Sequence, residues 1–108
     1  MDRILIIDDN EEFVEDTILG LKRHYECQWA DTGEAGLERM SALDPDLVLL
    51  DYDLGSGASG LDVLERLVAE YPDVPVIMVT KESGVRTVVK AMKEGAFDYV
   101  VKNTSRED

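Results

Sequence analysis

The sequence predicts an α/β fold in which a parallel sheet carries helices on both faces. Three observations lead there. Strand-like apolar runs alternate strictly with segments of helical periodicity along the chain. One of these runs, Leu47 to Leu50, is apolar throughout, as a central parallel strand covered on both faces should be. Polar side chains stand directly after several runs, at the carboxyl edge where an open parallel sheet binds ligands.

The elements follow in order. Arg3 to Ile7 is a compact β-branched run, and Glu11 to Arg23 then places Phe13, Val14, Ile18 and Leu21 at helical spacing, with Asp9 or Asn10 as the cap. Glu26 to Ala30 reads as a second strand. It leads through Asp31, Thr32 and Gly33 into a helix near Glu34 to Ser41, whose stripe includes Leu37 and Met40. After the Leu47 to Leu50 strand comes a loop from Asp51 to Gly60. Leu61, Leu64, Val68 and Tyr71 mark a third helix stopped before Pro72. Pro75 to Val79 is a fourth strand. Val85, Val88, Val89 and Met92 form the stripe of a fourth helix ending at Gly95, and Tyr99 to Val101 is a short fifth strand. Right-handed crossovers between parallel strands are the connection such alternation demands.

Composition narrows the function. The chain has 108 residues, enough for one modest core, and no internal repeat or linker. With 44% hydrophobic residues it can fold, so 24 acids against 11 bases describe an acidic shell rather than disorder. The net charge of −13 opposes direct binding to nucleic acid or an anionic membrane. No apolar stretch is long enough to span a bilayer and no basic-then-apolar leader is present, so the expected location is cytoplasmic. Cys27 is the single cysteine, which excludes an internal disulfide and makes a structural thiol the expectation.

The candidate site lies at the strand ends. Asp8 and Asp9 follow the first strand, Asp51 the third, Thr80 the fourth and Lys102 the fifth. Asp8 and Asp9 could simply cap a helix, and Thr80 or Lys102 alone would be an ordinary strand-end residue. Asp51, directly after a buried strand and two residues before Asp53, is harder to explain that way. Together, three carboxylates, a hydroxyl and an ammonium on one edge suit a hard divalent cation such as Mg²⁺ and a phosphoryl group.

With those residues in place, the chain resembles the receiver domains of two-component response regulators, which have the flavodoxin-like fold. The resemblance rests on IIDDN (Asp8, Asp9), LVLLDYDL (Asp51), PVIMVT (Thr80) and AMKEGAFDYVVK (Tyr99, Lys102), in that order and spacing. It implies a doubly wound five-stranded sheet of order 2-1-3-4-5. It also implies that Asp51 is the phosphoacceptor, Asp9 a direct ligand of Mg²⁺ (or Mn²⁺), Asp8 a second acidic ligand acting through water, and the Asp53 backbone carbonyl a further ligand. Thr80 and Lys102 would hold the transferred phosphoryl group, and Tyr99 would be the aromatic switch. The implied partners are a histidine kinase or histidine phosphotransfer protein as donor, and an output domain or a second copy on the face of the fourth helix and fifth strand. Such a chain is a signalling domain rather than an enzyme. The alternative is a Mg²⁺-dependent phosphatase or phosphotransferase with an Asp51-x-Asp53 nucleophile motif, which would need a cap or substrate domain.

The departures from the family pattern carry expectations of their own. Gly55 stands where Pro is usual and the loop after Asp51 is one residue longer, so a mobile loop is expected. Lys81 replaces a small residue beside Thr80 and puts a long cation at the pocket mouth, within reach of Asp53 or Glu82 as ion-pair partners. Asn103 replaces the usual Pro, and without proline a cis bond after Lys102 costs about 2.5 to 4 kcal/mol. The chain stops at Asp108 where NTSRED looks like the start of a fifth helix, so the expectation for residues 1–108 is one receiver domain truncated before that helix.

One decoy and a few further features stand beside this reading. Gly55, Gly57 and Gly60 fit a GxGxxG dinucleotide fingerprint, but Asp51 and Asp53 precede them and would repel a pyrophosphate. His24 and Trp29 read as a surface residue and a half-buried strand residue. Residues 1 to 16 hold seven acids and one base, whereas six of the eleven bases fall between Lys81 and Arg106. Arg86, Lys90 and Lys93 share one face of the fourth helix, either as a solvated face or as a docking face.

Overall fold

The computed structural model describes residues 1–55, 57–81 and 84–102. Within them the chain forms β1 (Asp2–Ile7), α1 (Glu11–Leu21), β2 (Tyr25–Ala30), α2 (Gly33–Leu43), β3 (Leu47–Asp51), α3 (Gly60–Glu70), β4 (Val76–Thr80), α4 (Val85–Lys93) and β5 (Asp98–Val101). The strands pair in parallel in the order β2-β1-β3-β4-β5, the flavodoxin-like order. The expected start of a fifth helix, residues 103–108, the Lys102–Asn103 bond and Glu82 lie outside the described residues.

Strand alternation divides the core into two layers. Along β1, Leu5 and Ile7 face one side and join Val48, Leu50 and Met78 under α2, α3 and α4, where Met40, Val63, Leu64 and Leu67 close the larger cluster. Ile4 and Ile6 face the other side and pack on Val14 of α1, flanked by Ile18, Leu21, Leu47 and Leu49. Each fully buried aliphatic side chain contributes about 1.5–3 kcal/mol of transfer free energy, so β1, buried on both faces from Ile4 onward, anchors both layers.

Helix starts agree with local chemistry. Asn10 caps α1 by accepting the Phe13 N–H, Thr32 caps α2 by accepting the Ala35 N–H, and Ser59 with Asp62 forms a reciprocal capping box on α3. α4 is the exception. Among the described residues it has no side-chain cap, and its expected apolar stripe is largely uncovered: Val85 is 77% exposed, Val89 45% and Met92 43%, while Ala91 is its buried residue. Helical period shows which residues share a face, not whether a neighbour covers that face. Phe97, Val100 and Val101 are exposed in and just before β5, the strand at the end of the sheet order next to β4.

Strand register fixes the site. Ile7 pairs with Leu50, so Asp8 and Asp51 emerge side by side one residue later. Asp51 pairs with Val79, and Thr80 pairs with Val101, so Thr80 and Lys102 follow at the same edge.

Candidate functional site

Among the described residues, the buried polar or charged residues are Asp8, Asp51, Thr80 and Lys102. A buried charge is costly unless it is paired. Lys102 meets that requirement for two acids at once, its Nζ lying 2.9 Å from Asp8 Oδ2 and 3.6 Å from Asp51 Oδ2. The same ammonium sits 4.4 Å from the centre of the Phe13 ring, whose π-face adds a cation–π attraction.

The carboxylates still outnumber the ammonium. Asp8, Asp9 and Asp51 each offer an oxygen, all within 4.8 Å of one another, with Asp9 exposed and the other two buried. Burial, and next the Asp8 charge, push the Asp51 carboxyl up to about 6, against the pull of Lys102 and of the Asp53 N–H, with Asp9 raising it further. Three hard oxygen donors with no nitrogen or sulfur among them suit Mg²⁺ or Mn²⁺ in kind, and a cation there would offset the acid charges that, after burial, raise Asp51.

Backbone groups hold this arrangement. The Asn10 N–H donates to Asp8 Oδ1 at 2.9 Å and the Asp53 N–H to Asp51 Oδ1 at 3.3 Å. The Trp29 indole N–H donates to the Asp8 carbonyl oxygen at 2.7 Å, and the Lys102 N–H to the Thr80 carbonyl at 2.7 Å. An open cleft above them is lined by Asp9, Asn10, Asp51, Asp53, Gly55, Lys81 and Lys102. Lys81 is exposed at this mouth. Thr80 is buried at the end of β4, beside the β5 residue that precedes Lys102. Tyr99 stands apart, half-buried on β5 and packed against the larger core cluster, in register with Met78.

Two glycines give the β3–α3 loop its path. Gly55 has φ +75°, and a Cβ there would sit 3.0 Å from Asp9 Oδ2; Gly57 has φ +83°, and a Cβ there would sit 2.9 Å from Glu34 Oε1. Both glycines back onto carboxylates. That surface repels a pyrophosphate, which argues further against the dinucleotide fingerprint.

Sequence reasoning missed three contributors. Phe13 read as part of a core stripe, Trp29 as a strand residue and Glu34 as a helix start. Each touches the site or its loop through a contact between distant segments, which periodicity does not register. The position of Phe13 in the first turn after Asp9 was the one available hint. Cys27 is half-buried, and burial pushes its thiol up, as an inert structural thiol requires.

A family model for the response regulator receiver domain matches residues 4–108. The chain belongs to that family. Among curated relatives of this receiver domain, the photosynthetic apparatus regulatory protein RegA of Rhodovulum sulfidophilum is 35% identical over 106 residues, covering 97% of this chain and 57% of RegA. The nitrogen assimilation regulatory protein NtrX of Azorhizobium caulinodans is 33% identical over 102 residues, covering 92% of this chain and 22% of NtrX. The receiver therefore spans about a fifth to just over half the length of these relatives. A crystal structure of a response regulator from Burkholderia pseudomallei, with a phosphorylated aspartic acid, calcium ion and citrate, superposes with TM-score 0.87 at 30% identity, covering 97% of this chain and 62% of that one. This receiver is thus a signalling domain of the two-component response regulator kind. Among its described residues, no helix is long and apolar enough to cross a membrane.

Proposed function

We propose that residues 1–108 act as one receiver unit in which Asp51 accepts a phosphoryl group from a histidine kinase or a histidine phosphotransfer protein, in a reaction that needs Mg²⁺ or Mn²⁺. The observation that carries this reading is the buried set of Asp8, Asp51, Thr80 and Lys102 at one sheet edge. Asp9 and Asp51 would hold the cation directly, Asp8 through water, and the Asp53 backbone carbonyl would add a further oxygen. When bound, the cation would offset the carboxylate charge and draw a phosphoryl oxygen toward the acceptor.

The chain's own residues do the rest. An Asp51 oxygen attacks phosphorus as the donor's phosphorus–nitrogen bond breaks, through a loose transition state in which positioning and charge neutralisation dominate. Lys102, already 3.6 Å from Asp51, supplies an ammonium to the incoming phosphoryl oxygens, and Thr80 brings a hydroxyl from the neighbouring strand. The new charge would draw on Thr80 and, through β4 and β5, on Tyr99, and so bias the surface of α4 and β5. That surface carries exposed Val85, Val89, Met92 and Val101 beside the bases of α4. It is the proposed docking face for an output domain or a second copy.

Incubation with a small acyl phosphate and Mg²⁺, followed by intact-mass measurement, tests the reading. Wild type should gain one phosphoryl group and Asp51→Asn none. Equal labelling of both proteins would remove Asp51 from the role, and sustained turnover of phosphate esters would favour the phosphatase alternative.

A further inference from the structure

We infer that Glu34 is a positioning residue for the site: from the first turn of α2 it tethers the β3–α3 loop in its place over Asp9. The inference rests on the reading of the cleft as a cation-dependent phosphoryl site. The Ala58 N–H donates to Glu34 Oε2 at 3.0 Å. Gly57 is packed so closely that a Cβ would meet both carboxylate oxygens, at 2.9 and 3.0 Å. The neighbouring Gly33 comes within 3.4 Å of Ala58 by the same measure, so the start of α2 abuts this loop at two consecutive residues.

The loop reaches the site at its other end. Gly55 approaches Asp9 Oδ2 to the point where a Cβ would lie 3.0 Å away, and Asp53 sends its N–H to Asp51. One short segment thus connects Asp51 and Asp53, Gly55 over Asp9, and Ala58 on Glu34. Glycines at positive φ leave this segment many conformations to lose on ordering, so an anchor outside it has leverage over where Asp53 and Gly55 rest. Glu34 is suited to that task. Its charge strengthens the hydrogen bond, and Ala58 immediately precedes the Ser59 cap of α3, where the positive end of that helix favours a carboxylate. Glu34 touches none of the candidate ligands and acts through the loop.

The test is a Mg²⁺ titration of the full chain without any phosphoryl donor, alongside amide hydrogen exchange and thermal unfolding. Glu34→Ala should weaken cation binding about three- to tenfold, below the 10–100-fold typical of outer-shell partners because Glu34 is exposed. It should speed exchange of the Ala58 amide while leaving the unfolding midpoint nearly unchanged. Glu34→Gln, which keeps an acceptor oxygen, should recover most of the affinity. Glu38→Ala, which removes the same charge from another place on the same helix, should bind like wild type. Equal affinity in wild type, Glu34→Ala and Glu38→Ala would overturn the inference alone, as would equal losses in both variants, which would reduce the effect to net charge. A wild-type chain that binds no Mg²⁺ would overturn the functional reading and this inference together.

Discussion

Replacing Asp51 with Asn should make the metal-free protein more stable at neutral pH. The Asp51 carboxyl is pushed from 3.8 to about 6, first by burial and then by the Asp8 charge. A folded-state value raised above the unfolded one means that the carboxylate form is disfavoured by folding. The cost is absent below about pH 4, grows as pH rises through about 6, and is constant above it. A rise from 3.8 to about 6 corresponds to roughly 3 kcal/mol, which an uncharged Asn avoids while its amide oxygen can still accept the Asp53 N–H. Lys102 keeps Asp8 at 2.9 Å in the variant, so no buried ammonium is stranded. We expect Asp51→Asn to gain about 1–3 kcal/mol near pH 7.5 in chelator and low salt, a change on the order of 1 M in the urea midpoint, and the gain to vanish near pH 4. Urea unfolding followed through Trp29 emission at both pH values measures it. Saturating Mg²⁺ should then stabilise wild type more than the variant. A variant equal to or less stable than wild type near pH 7.5 would refute the claim that burial and the neighbouring acids together make the Asp51 carboxylate unfavourable when no cation is present.

Three further outcomes follow from the same geometry. Lys102→Met strips the ammonium from two buried carboxylates and should cost about 3–5 kcal/mol near neutral pH, with partial recovery in Mg²⁺; urea unfolding with and without the cation measures both effects. Asp9→Ala should weaken Mg²⁺ binding far more than Asp53→Ala, since only the backbone carbonyl of Asp53 is assigned to the cation, and a titration followed through Trp29, bonded to the Asp8 carbonyl, should report the order. Lys81→Ala should speed both labelling of Asp51 by small donors and subsequent loss of phosphate, because an exposed cation at the cleft mouth adds charge near the phosphoryl oxygens and obstructs the in-line path of water; its unfolding free energy should change by less than about 0.5 kcal/mol.

Much of this architecture was legible in the sequence because it is local. The β-branched run Arg3 to Ile7 and the apolar run Leu47 to Leu50 announce strands, and in a parallel sheet the residues that follow them must meet at one edge. Asp8, Asp51, Thr80 and Lys102 do meet there. The contacts that hold them are between segments far apart in the chain: Phe13 under Lys102, the Trp29 indole on the Asp8 carbonyl, Glu34 on Ala58. No period or motif encodes such pairs. The burial of α4 also went unread, since Val85, Val89 and Met92 share a face that nothing among the described residues buries fully.

The most direct test of the central claim is to locate the phosphoryl group chemically. After labelling with a small acyl phosphate and Mg²⁺, borohydride reduction converts an aspartyl phosphate to homoserine, and peptide sequencing by mass spectrometry reads its position. Homoserine at position 51, and at no other aspartate, is the predicted result. Homoserine at Asp8, Asp9 or Asp53 instead, or its absence from a labelled chain, would contradict the account.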